Sequence, residues 1–393
     1  MNTIGVDHIV APIYRCAFAP DEGHLHAEML EPMKKRTESD FLKQELKSRR
    51  TLQNARNPRK FSLHKLVNSR RKILGRTIIT ASSSFSLFEP NYDAFAKFLI
   101  TLEKETSKGR ILIDLQHVKS VKVSALLVLY ANIEQIQKKR KDNSIIKTTG
   151  ECSREVSMFF RTFGLWNLTG ESRMRSLRAY ADTMEICTMP PQTVAPEYHR
   201  KQLKKVLIYA QQAVEKVGMH EGALLAYNAV TESISNVWQH AYDNSFFDEP
   251  VPLELQNWWI IVQHVGDQFF IAMYDMGASI PTTISTKPWA HELIETISRL
   301  LDVKVLSSGD AKSIKAAVDY GRSRFKRDNR GKGLTEAKDF VQKNPQGSML
   351  IYSGLGHYEY RTEGDKEILE TLGSYFKGTL IQWNLMLEKK DER

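Results

Sequence analysis

The sequence predicts an α/β protein in which two folded blocks follow a basic, partly helical N-terminal region. From about residue 76 onward, short apolar runs typical of strands alternate with amphipathic runs typical of helices, which is the pattern of α/β architectures. Apolar residues make up 41% of the 393 residues and charged residues 26%, as in ordinary globular domains. We expect a smaller α/β domain over residues 76–170, a linker over 171–198, and a larger α/β domain over 199–388.

Positive charge is concentrated in the N-terminal region, residues 1–75. Residues 1–76 hold sixteen Lys and Arg against eight Asp and Glu, which accounts for most of the formal net charge of +10. Residues 39–52 have a helical pattern. Clustered positive charge can bind nucleic acid or an acidic protein surface, and a solvated tether is the alternative. Both interpretations stay open for residues 1–76.

The smaller domain shows strand-like runs separated by helical patterns. We predict, in chain order, a strand at 77–80, a helix at 91–108, a strand at 110–115, a helix at 123–139, a strand at 145–147 and a helix at 155–163. This order favours a sheet of parallel strands joined by helical crossovers. Beyond the linker, residues 201–217 have the pattern of a further helix.

The larger domain is organised around a predicted helix over 221–242, which carries three polar residues on an apolar background. Glu232, Asn236 and His240 follow one another at four-residue intervals, so they stack on one face of a helix. A solvated helical face is the simplest explanation of such a row. Two motifs further along the chain favour a functional explanation.

The first of these motifs is an apolar strand pattern over 269–274 that ends in Asp275 and then Gly277. A carboxylate at the end of a strand, followed by a turn, can point into a pocket. The second motif precedes a predicted helix over 335–344 and reads Arg330-Gly331-Lys332-Gly333-Leu334. Glycines before a helix N-terminus allow backbone N–H groups to approach a phosphate.

In this order the three motifs resemble the N box, the D-x-G-x-G box and the second glycine box of the GHKL, or Bergerat, ATP-binding fold. That family includes histidine kinases, anti-sigma serine kinases, gyrase-type ATPases and related chaperones. Residues 347–354 resemble the strand that follows the glycine-box helix. Gly378 and Thr379 resemble the Gly-Thr of the closing strand, which lies near the adenine. The resemblance covers residues 196–387, about half of the chain. It implies that the larger domain is an α/β sandwich whose mixed sheet is covered by helices.

The resemblance implies ATP and Mg²⁺ as cofactors and a role for each matching residue. Asn236 would bind Mg²⁺ through its amide oxygen, and Glu232 would be the catalytic residue that activates water or a protein hydroxyl. Asp275 would accept a hydrogen bond from the adenine amino group. The remaining candidate nucleotide-binding residues are His240, Gly277, Arg330, Gly331, Lys332, Gly333, Leu334 and Thr379.

Two residues depart from the family pattern. Ser279 stands where the second glycine of the D-x-G-x-G box is expected, and Asn329 stands where a further glycine often lies. Between the two boxes, helical patterns over 291–301 and 311–320 and a basic run over 322–330 occupy the place of the family's ATP lid. A lid that closes over nucleotide can report its presence to a partner.

Residues 76–170 resemble a STAS domain, the fold of anti-sigma-factor antagonists. The resemblance rests on ILIDLQHVKSV at 111–121, SAL at 124–126 and FFRTFGL at 159–165. Val123 lies where regulatory STAS domains have a phosphorylated serine, so we expect no conventional phosphoswitch. Ser124 is expected to cap the following helix, and the domain is expected to serve docking or dimerisation.

Together the two resemblances imply an ATP- and Mg²⁺-binding regulatory protein whose nucleotide-gated lid controls a protein partner, with slow ATP hydrolysis. Two alternatives stay open: a protein serine/threonine kinase of the anti-sigma type, and a non-catalytic nucleotide-binding or nucleic-acid-associated scaffold. A sensor histidine kinase is disfavoured, because the Pro-rich linker and the STAS-like block occupy the place of its phosphoacceptor hairpin. GHKL proteins often dimerise, so a homodimer is expected from the resemblance alone.

Cysteine usage and hydropathy favour a cytoplasmic protein without membrane contact. Cys16, Cys152 and Cys187 lie far apart in the sequence, which argues against a zinc ribbon or a disulfide framework. The first residues do not have the pattern of a signal peptide, and we find no apolar run long enough to span a bilayer.

Overall fold

A computed structural model describes residues 43–47, 72–172, 183–191, 193–215, 241–265, 268–287, 289–300, 309–320, 333–344 and 346–386. The chain divides into two compact units, residues 1–72 and 73–393. In the first unit, residues 43–47 are helical, as expected for the pattern over 39–52, and the rest of that pattern lies outside the described residues. Apart from Lys72, the first residue of β1, the elements and sites below belong to the second unit.

The N-terminal part of the second unit is an α/β block. Its strands are β1 (Lys72–Ile73), β2 (Arg76–Thr80), β3 (Ser84–Phe85), β4 (Ile111–Asp114), β5 (Ser120–Val121) and β6 (Ile146–Thr149). Its helices are α1 (Tyr92–Thr106), α2 (Val123–Arg140), α3 (Arg154–Thr162) and α4 (Leu165–Leu168). Three predicted strands and three predicted helices are confirmed here, with ends that shift by at most two residues.

The main sheet of this block has the order β1-β2-β4-β6, and β2, β4 and β6 are parallel. Helices α1 and α2 form the crossovers, because parallel neighbours cannot be joined by a tight turn. The expected cap at Ser124 is wrong. The Lys122 N–H donates to the Phe85 carbonyl, which holds Lys122 in an extended conformation, so α2 begins at Val123 and Ser124 is buried within its first turn.

The C-terminal part of the second unit is also α/β. Its strands are β7 (Cys187–Met189), β8 (Trp258–Val265), β9 (Gln268–Asp275), β10 (Ser348–Arg361) and β11 (Lys366–Met386). Its helices are α5 (Pro196–Glu215), α6 (Ile280–Ser285), α7 (Ala290–Leu300), α8 (Gly309–Asp319) and α9 (Gly333–Gln342). Among the helices that the structure describes, none is long and apolar enough to cross a bilayer.

The second sheet has the order β10-β11-β9-β8-β7, and its described pairings are all antiparallel. The expected mixed sheet is therefore not what these strands form, because sequence neighbours pair as antiparallel hairpins and β11 then pairs antiparallel with β9. Two segments expected in the linker belong to the fold, since residues 187–189 form β7 and α5 begins at Pro196. Proline suits the first turn of a helix, where its missing N–H has no partner to lose.

The second sheet is buried on both faces, because alternate residues of its strands point to opposite sides and both sets are apolar. In β9, one set packs with α5, α8 and α9: Phe269, Ile271 and Met273. The other set packs with α1 and α2: Phe270, Ala272 and Tyr274. Helix α1 lies against β11, and α2 lies against β8 and β9. The two blocks therefore share one hydrophobic core.

Polar contacts fix the two blocks against each other. Glu134 Oε2 of α2 accepts hydrogen bonds from Trp259 Nε1 at 2.7 Å and from Thr188 Oγ1 at 2.5 Å. At the other helix, the Tyr92 hydroxyl donates to the Ser374 carbonyl at 2.8 Å. The inner faces of α1 and α2 thus dock onto the same chain, and only their outer faces are free to meet a separate partner.

Strands β10 and β11 extend beyond the predicted 347–354 and 378–385 and fold back on themselves. A straight strand of the 14 residues of β10 would span about 46 Å. Yet the Thr362 N–H, just after β10, donates to the Gly347 carbonyl, just before it, at 2.9 Å. The reversal occurs where the register shifts at Gly354, whose φ is +63°. Helix α8 begins in this bend, where Asp310 Oδ2 accepts from the Leu355 N–H at 2.7 Å.

Candidate functional site

The described residues contain part of the predicted site. Asp275, Gly277, Leu334 and Thr379 are described in full, and Gly333 is described as the first residue of α9. Six predicted site residues lie outside the described residues: Glu232, Asn236, His240, Arg330, Gly331 and Lys332. The geometry that follows therefore concerns the Asp275 end of the site.

Asp275 is the last residue of β9, between Trp258 of β8 and Thr379 of β11. It is 5% exposed. Its Oδ1 accepts a hydrogen bond from the Gly277 N–H at 2.9 Å, and the Thr379 N–H is a second backbone donor to the carboxylate. The central position of β9 in the sheet explains the burial, because strands cover it on both sides.

The Asp275 carboxyl titrates near neutral pH. Burial raises its pKa to about 7, because desolvation penalises the charged form more than the two backbone N–H groups stabilise it. The titratable groups that face it among the described residues are Tyr242 and Tyr274. Burial, and then the Asp275 charge, raise the pKa of both phenols, so both stay neutral where Asp275 titrates.

The turn after Asp275 packs against the chain that directly follows His240. A Cβ atom at Gly277 would collide with the Ala241 carbonyl, and the Ala278 N–H donates to that same carbonyl at 2.6 Å. Glycine is required at 277 for this close approach. Because Ala241 is one residue beyond His240, the Asp275 motif meets the end of the segment that carries the first motif.

Tyr242 ties the same turn to β8. Its hydroxyl donates to the Asn257 carbonyl at 2.5 Å and accepts from the Met276 N–H at 3.2 Å. The sequence analysis placed Tyr242 in the predicted helix without a role. Its position two residues after His240 is the signal that could have identified it.

Ser279 does not disturb the turn, although a glycine was expected there. Its φ of −69° and ψ of 154° are extended values that any residue adopts. Its Oγ accepts from the Thr282 N–H at 3.4 Å and lies 2.8 Å from Thr282 Oγ1. Ser279 is therefore the N-cap of α6, a position that serine favours.

On the other side of Asp275, β11 approaches through Gly378. This glycine has a φ of +75°, and a Cβ atom on it would collide with the Asp275 carbonyl. Thr379 Oγ1 lies 2.9 Å from Ser353 Oγ, which also donates to the Gly378 carbonyl at 3.0 Å. Sequence reasoning did not select Ser353. The available signal was a small polar residue between an apolar run and Gly354.

Helix α9 begins at Gly333, and its first turn contacts the hydrophobic core and α8. Leu334 is partly buried against the core shared by α5, α8 and α9, so its role here is packing. The Thr335 hydroxyl donates to the Val318 carbonyl at 2.7 Å. These contacts fix the first turn of α9 relative to α8.

A buried charge cluster anchors the middle of α9. Lys338 of α9 and Lys315 of α8 both form ion pairs with Glu367 of β11, which also accepts from the Tyr358 hydroxyl at 2.7 Å. Burial alone would raise the pKa of Glu367, but the three hydrogen bonds lower it to about 2. The cluster joins two helices to the folded-back strands.

The helices expected in the lid are confirmed as α7 and α8, but α8 belongs to the core. Four of its residues are fully buried: Ala311, Ile314, Ala316 and Val318. It lies in the bend of β10 and contacts α6, α7 and α9 as well. The nucleotide-gated lid stays a prediction, and within it α8 is a helix packed into the core.

A groove of about 530 Å³ lies away from the Asp275 turn, between α5 and residues 183–185. The predicted site residues that the structure describes do not line it. No group of three His, Cys, Asp or Glu residues in the described ranges could hold a metal ion. The expectation of Mg²⁺ therefore rests on Asn236, outside those ranges.

Comparison with known proteins gives no assignment. No protein-family model matches the chain. No curated protein matches it either. The functional argument therefore depends on the residues and the geometry above.

Proposed function

We propose that the chain is an ATP- and Mg²⁺-binding regulatory protein of the GHKL type. In this proposal Asp275 accepts a hydrogen bond from the adenine amino group, and slow ATP hydrolysis controls a protein partner. The observation that carries the proposal is the buried Asp275 carboxyl, which has backbone donors but no cation among its interactions in the described residues.

A buried carboxyl without a cation is costly for the fold. Transfer of an unpaired carboxylate out of water is so unfavourable that the group shifts its pKa instead, as Asp275 does. An apolar residue at this position would avoid that cost. Retention of the carboxyl is explained if a ligand with a hydrogen-bond donor, such as the adenine amino group, completes its interactions.

The contacts around Asp275 support a ligand site at this end of the sheet. Ala241, next to His240, touches the turn at Gly277 and Ala278, and Thr379 of the closing strand lies on the opposite side. Three segments that are distant in sequence therefore meet at one carboxyl. A nucleotide that uses the first two motifs and the Gly-Thr strand requires this meeting.

The remaining residues take the roles that the resemblance implies. Asn236 would bind Mg²⁺ and Glu232 would activate the attacking water. His240 would lie near the phosphates, which Arg330, Gly331, Lys332 and Gly333 would bind. Bound Mg²⁺ would neutralise phosphate charge. In this proposal, the parts of the lid other than α8 would open and close over the nucleotide.

The α/β block of β1–β6 is proposed to be STAS-like and to act as a regulatory layer. Val123, at the position of the phosphorylated serine, has no hydroxyl and is buried at the start of α2. Because α1 and α2 cover one face of the second sheet, a partner that binds the outer side of this block would act on the nucleotide site through the shared core.

The proposal is tested by calorimetric titration of Mg·ATP into the wild type, Asp275→Asn and a matched control. Asp114→Asn is the control, since Asp114 also ends a strand and accepts from a backbone N–H two residues later, at 3.0 Å. We expect micromolar binding that is lost in Asp275→Asn and kept in Asp114→Asn. Equal binding by both variants would refute the assigned role of Asp275.

Turnover separates the alternatives. With γ-labelled ATP, label released as free phosphate and abolished by Glu232→Ala supports the ATPase. Label transferred to protein supports the serine/threonine kinase. Binding without either product supports the non-catalytic scaffold.

A further inference from the structure

The Ser353 hydroxyl lies at the junction of three segments that surround Asp275. Ser353 is in β10 and is fully buried. Its Oγ donates to the Gly378 carbonyl at 3.0 Å, lies 2.9 Å from Thr379 Oγ1, and accepts from the Ile280 N–H at 2.9 Å. One hydroxyl thus joins β10 to the closing strand and to the first residue of α6.

Each of these contacts bears on the Asp275 carboxyl. Gly378 touches the Asp275 carbonyl, the Thr379 N–H donates to its carboxylate, and Ile280 begins the helix that follows its turn. We infer that Ser353 is a positioning residue, which holds Gly378 and Thr379 of β11 and the start of α6 in place beside Asp275. The ligand in this inference rests on the proposed function, whereas the positioning of Asp275 does not.

The hydrogen bonds of Ser353 also determine whether the site presents donors or acceptors to a ligand. A serine hydroxyl has one donor and two acceptor positions. If its proton goes to the Gly378 carbonyl and one lone pair accepts from Ile280, then the other lone pair accepts the proton of the Thr379 hydroxyl. Thr379 Oγ1 then has only acceptor capacity left. Together with the Asp275 carboxylate, the site offers acceptors and selects a ligand edge that carries donors.

Ser348 provides a matched control on the same strand. It is also buried in β10, it faces β11, and its Oγ accepts from Asn384 Nδ2 at 3.0 Å. It pairs with Asn384 at the start of the β10–β11 ladder, whereas Ser353 pairs with Thr379 further along. If the Ser353 hydroxyl only stabilised its strand, alanine substitution at Ser353 and at Ser348 would change Mg·ATP affinity and the pKa of Asp275 by similar amounts.

The first readout is Mg·ATP affinity. We expect Ser353→Ala to raise Kd about tenfold, the effect of one lost hydrogen bond to an ordered site, and Ser348→Ala to change Kd less than about twofold. Ser353→Thr, which keeps the hydroxyl, should restore much of the affinity. Equal effects of the two alanine variants would overturn the inference.

The second readout needs no ligand. The stability difference between each background and its Asp275→Asn derivative, followed against pH, reports the pKa of Asp275. Loss of the Ser353 hydroxyl should weaken the hydrogen bond from the Thr379 N–H to the Asp275 carboxylate. Because this bond stabilises the charged form, the midpoint that reports the pKa of Asp275 should rise. Ser348→Ala should leave the midpoint unchanged. Tyr242 and Tyr274 remain neutral in this range, as described above.

The two readouts distinguish the inference from the proposed function. If the wild type does not bind Mg·ATP but Ser353→Ala still moves the Asp275 midpoint, the positioning role stands and the nucleotide proposal fails. An unchanged midpoint in Ser353→Ala refutes the positioning role, whatever the binding result. If Ser353→Ala does not fold, Ser353→Cys keeps the volume with a weak donor and is judged by the same midpoint.

Discussion

At the scale of single residues, Asp275 is the point on which the account depends. The sequence predicted a carboxylate at a strand end. It did not predict that Asp275 would be 5% exposed with a pKa of about 7, because burial depends on β8 and β11 closing around β9. The candidate site was thus predicted by residue type and order, while its electrostatics required the tertiary fold.

Asp275 should make stability depend on pH between about 4 and 7. Its folded pKa is raised above the ordinary 3.8, so its favourable contribution is complete below the unfolded value and is lost as pH rises through 7. The Asp275→Asn variant removes this dependence. We expect it to be more stable than the wild type by about 4 kcal/mol at pH 8 and by almost nothing at pH 4. Urea unfolding at several pH values measures this, and a constant difference would contradict it.

Substitutions at two small residues of the same turn should reduce stability by very different amounts. Gly277→Ala places a Cβ against the Ala241 carbonyl, so we expect a loss of about 3 kcal/mol or more, since backbone must move. Ser279→Gly removes only a helix cap in an extended conformation and should cost a few tenths of a kcal/mol. Thermal unfolding compares them. A larger loss of stability in Ser279→Gly than in Gly277→Ala would contradict this description of the turn.

At the scale of elements, the sequence predicted most described helices and strands but not the course of β10. The apolar run before Gly354 indicated a strand, and a strand-like pattern continues beyond it through Tyr358 and Tyr360. Nothing local showed that the chain reverses at Gly354. The reversal depends on α8 filling the bend, which is a contact between segments about 40 residues apart in sequence. The core role of α8 was missed for the same reason.

Glu367 should hold α8 and α9 to the folded-back strands. Its pKa, about 2 in the folded state, lies below the ordinary 4.5, so its stabilising effect is complete above pH 4.5 and is lost as pH falls toward 2. We expect Glu367→Gln to cost about 3 kcal/mol at pH 7, because Lys315 and Lys338 each lose a carboxylate partner and keep only Asp319. The cost should shrink steadily below pH 4.5.

Glu370→Gln is the control for Glu367. Glu370 lies in the same strand with a side chain 57% exposed and pairs with His357, so its loss should cost less than about 1 kcal/mol. Chemical unfolding at pH 7 and pH 3 measures both variants. A Glu367→Gln cost that does not depend on pH would contradict the assigned ion pairs.

At the scale of the whole molecule, the sequence predicted two α/β blocks but not their common core. The apolar run over 269–274 predicted one strand of the second sheet. The patterns could not show that α1 and α2 supply one of the two covers, because an amphipathic helix does not specify its partner. The expected separate docking module is instead packed onto the sheet.

The shared core predicts cooperative unfolding of the two blocks. Calorimetry should show one transition for residues 73–386, and Glu134→Ala should lower its midpoint, with a cost of about 2 kcal/mol from two lost hydrogen bonds to buried donors. Glu103→Ala is the control, since its contact with Lys377 is half-exposed at 3.4 Å and contributes little. Two separate transitions in the wild type would contradict the common core.

The most direct measurement is the titration of Mg·ATP into the wild type and Asp275→Asn at pH 8 and at pH 6, with Asp114→Asn as control. The account predicts micromolar binding to the wild type and to the control. It predicts weakening of up to about tenfold per pH unit below 7, as the Asp275 carboxylate is protonated, and binding lost in Asp275→Asn. Absence of wild-type binding, or binding that ignores both Asp275 and pH, would contradict the assignment of this strand end as a nucleotide site.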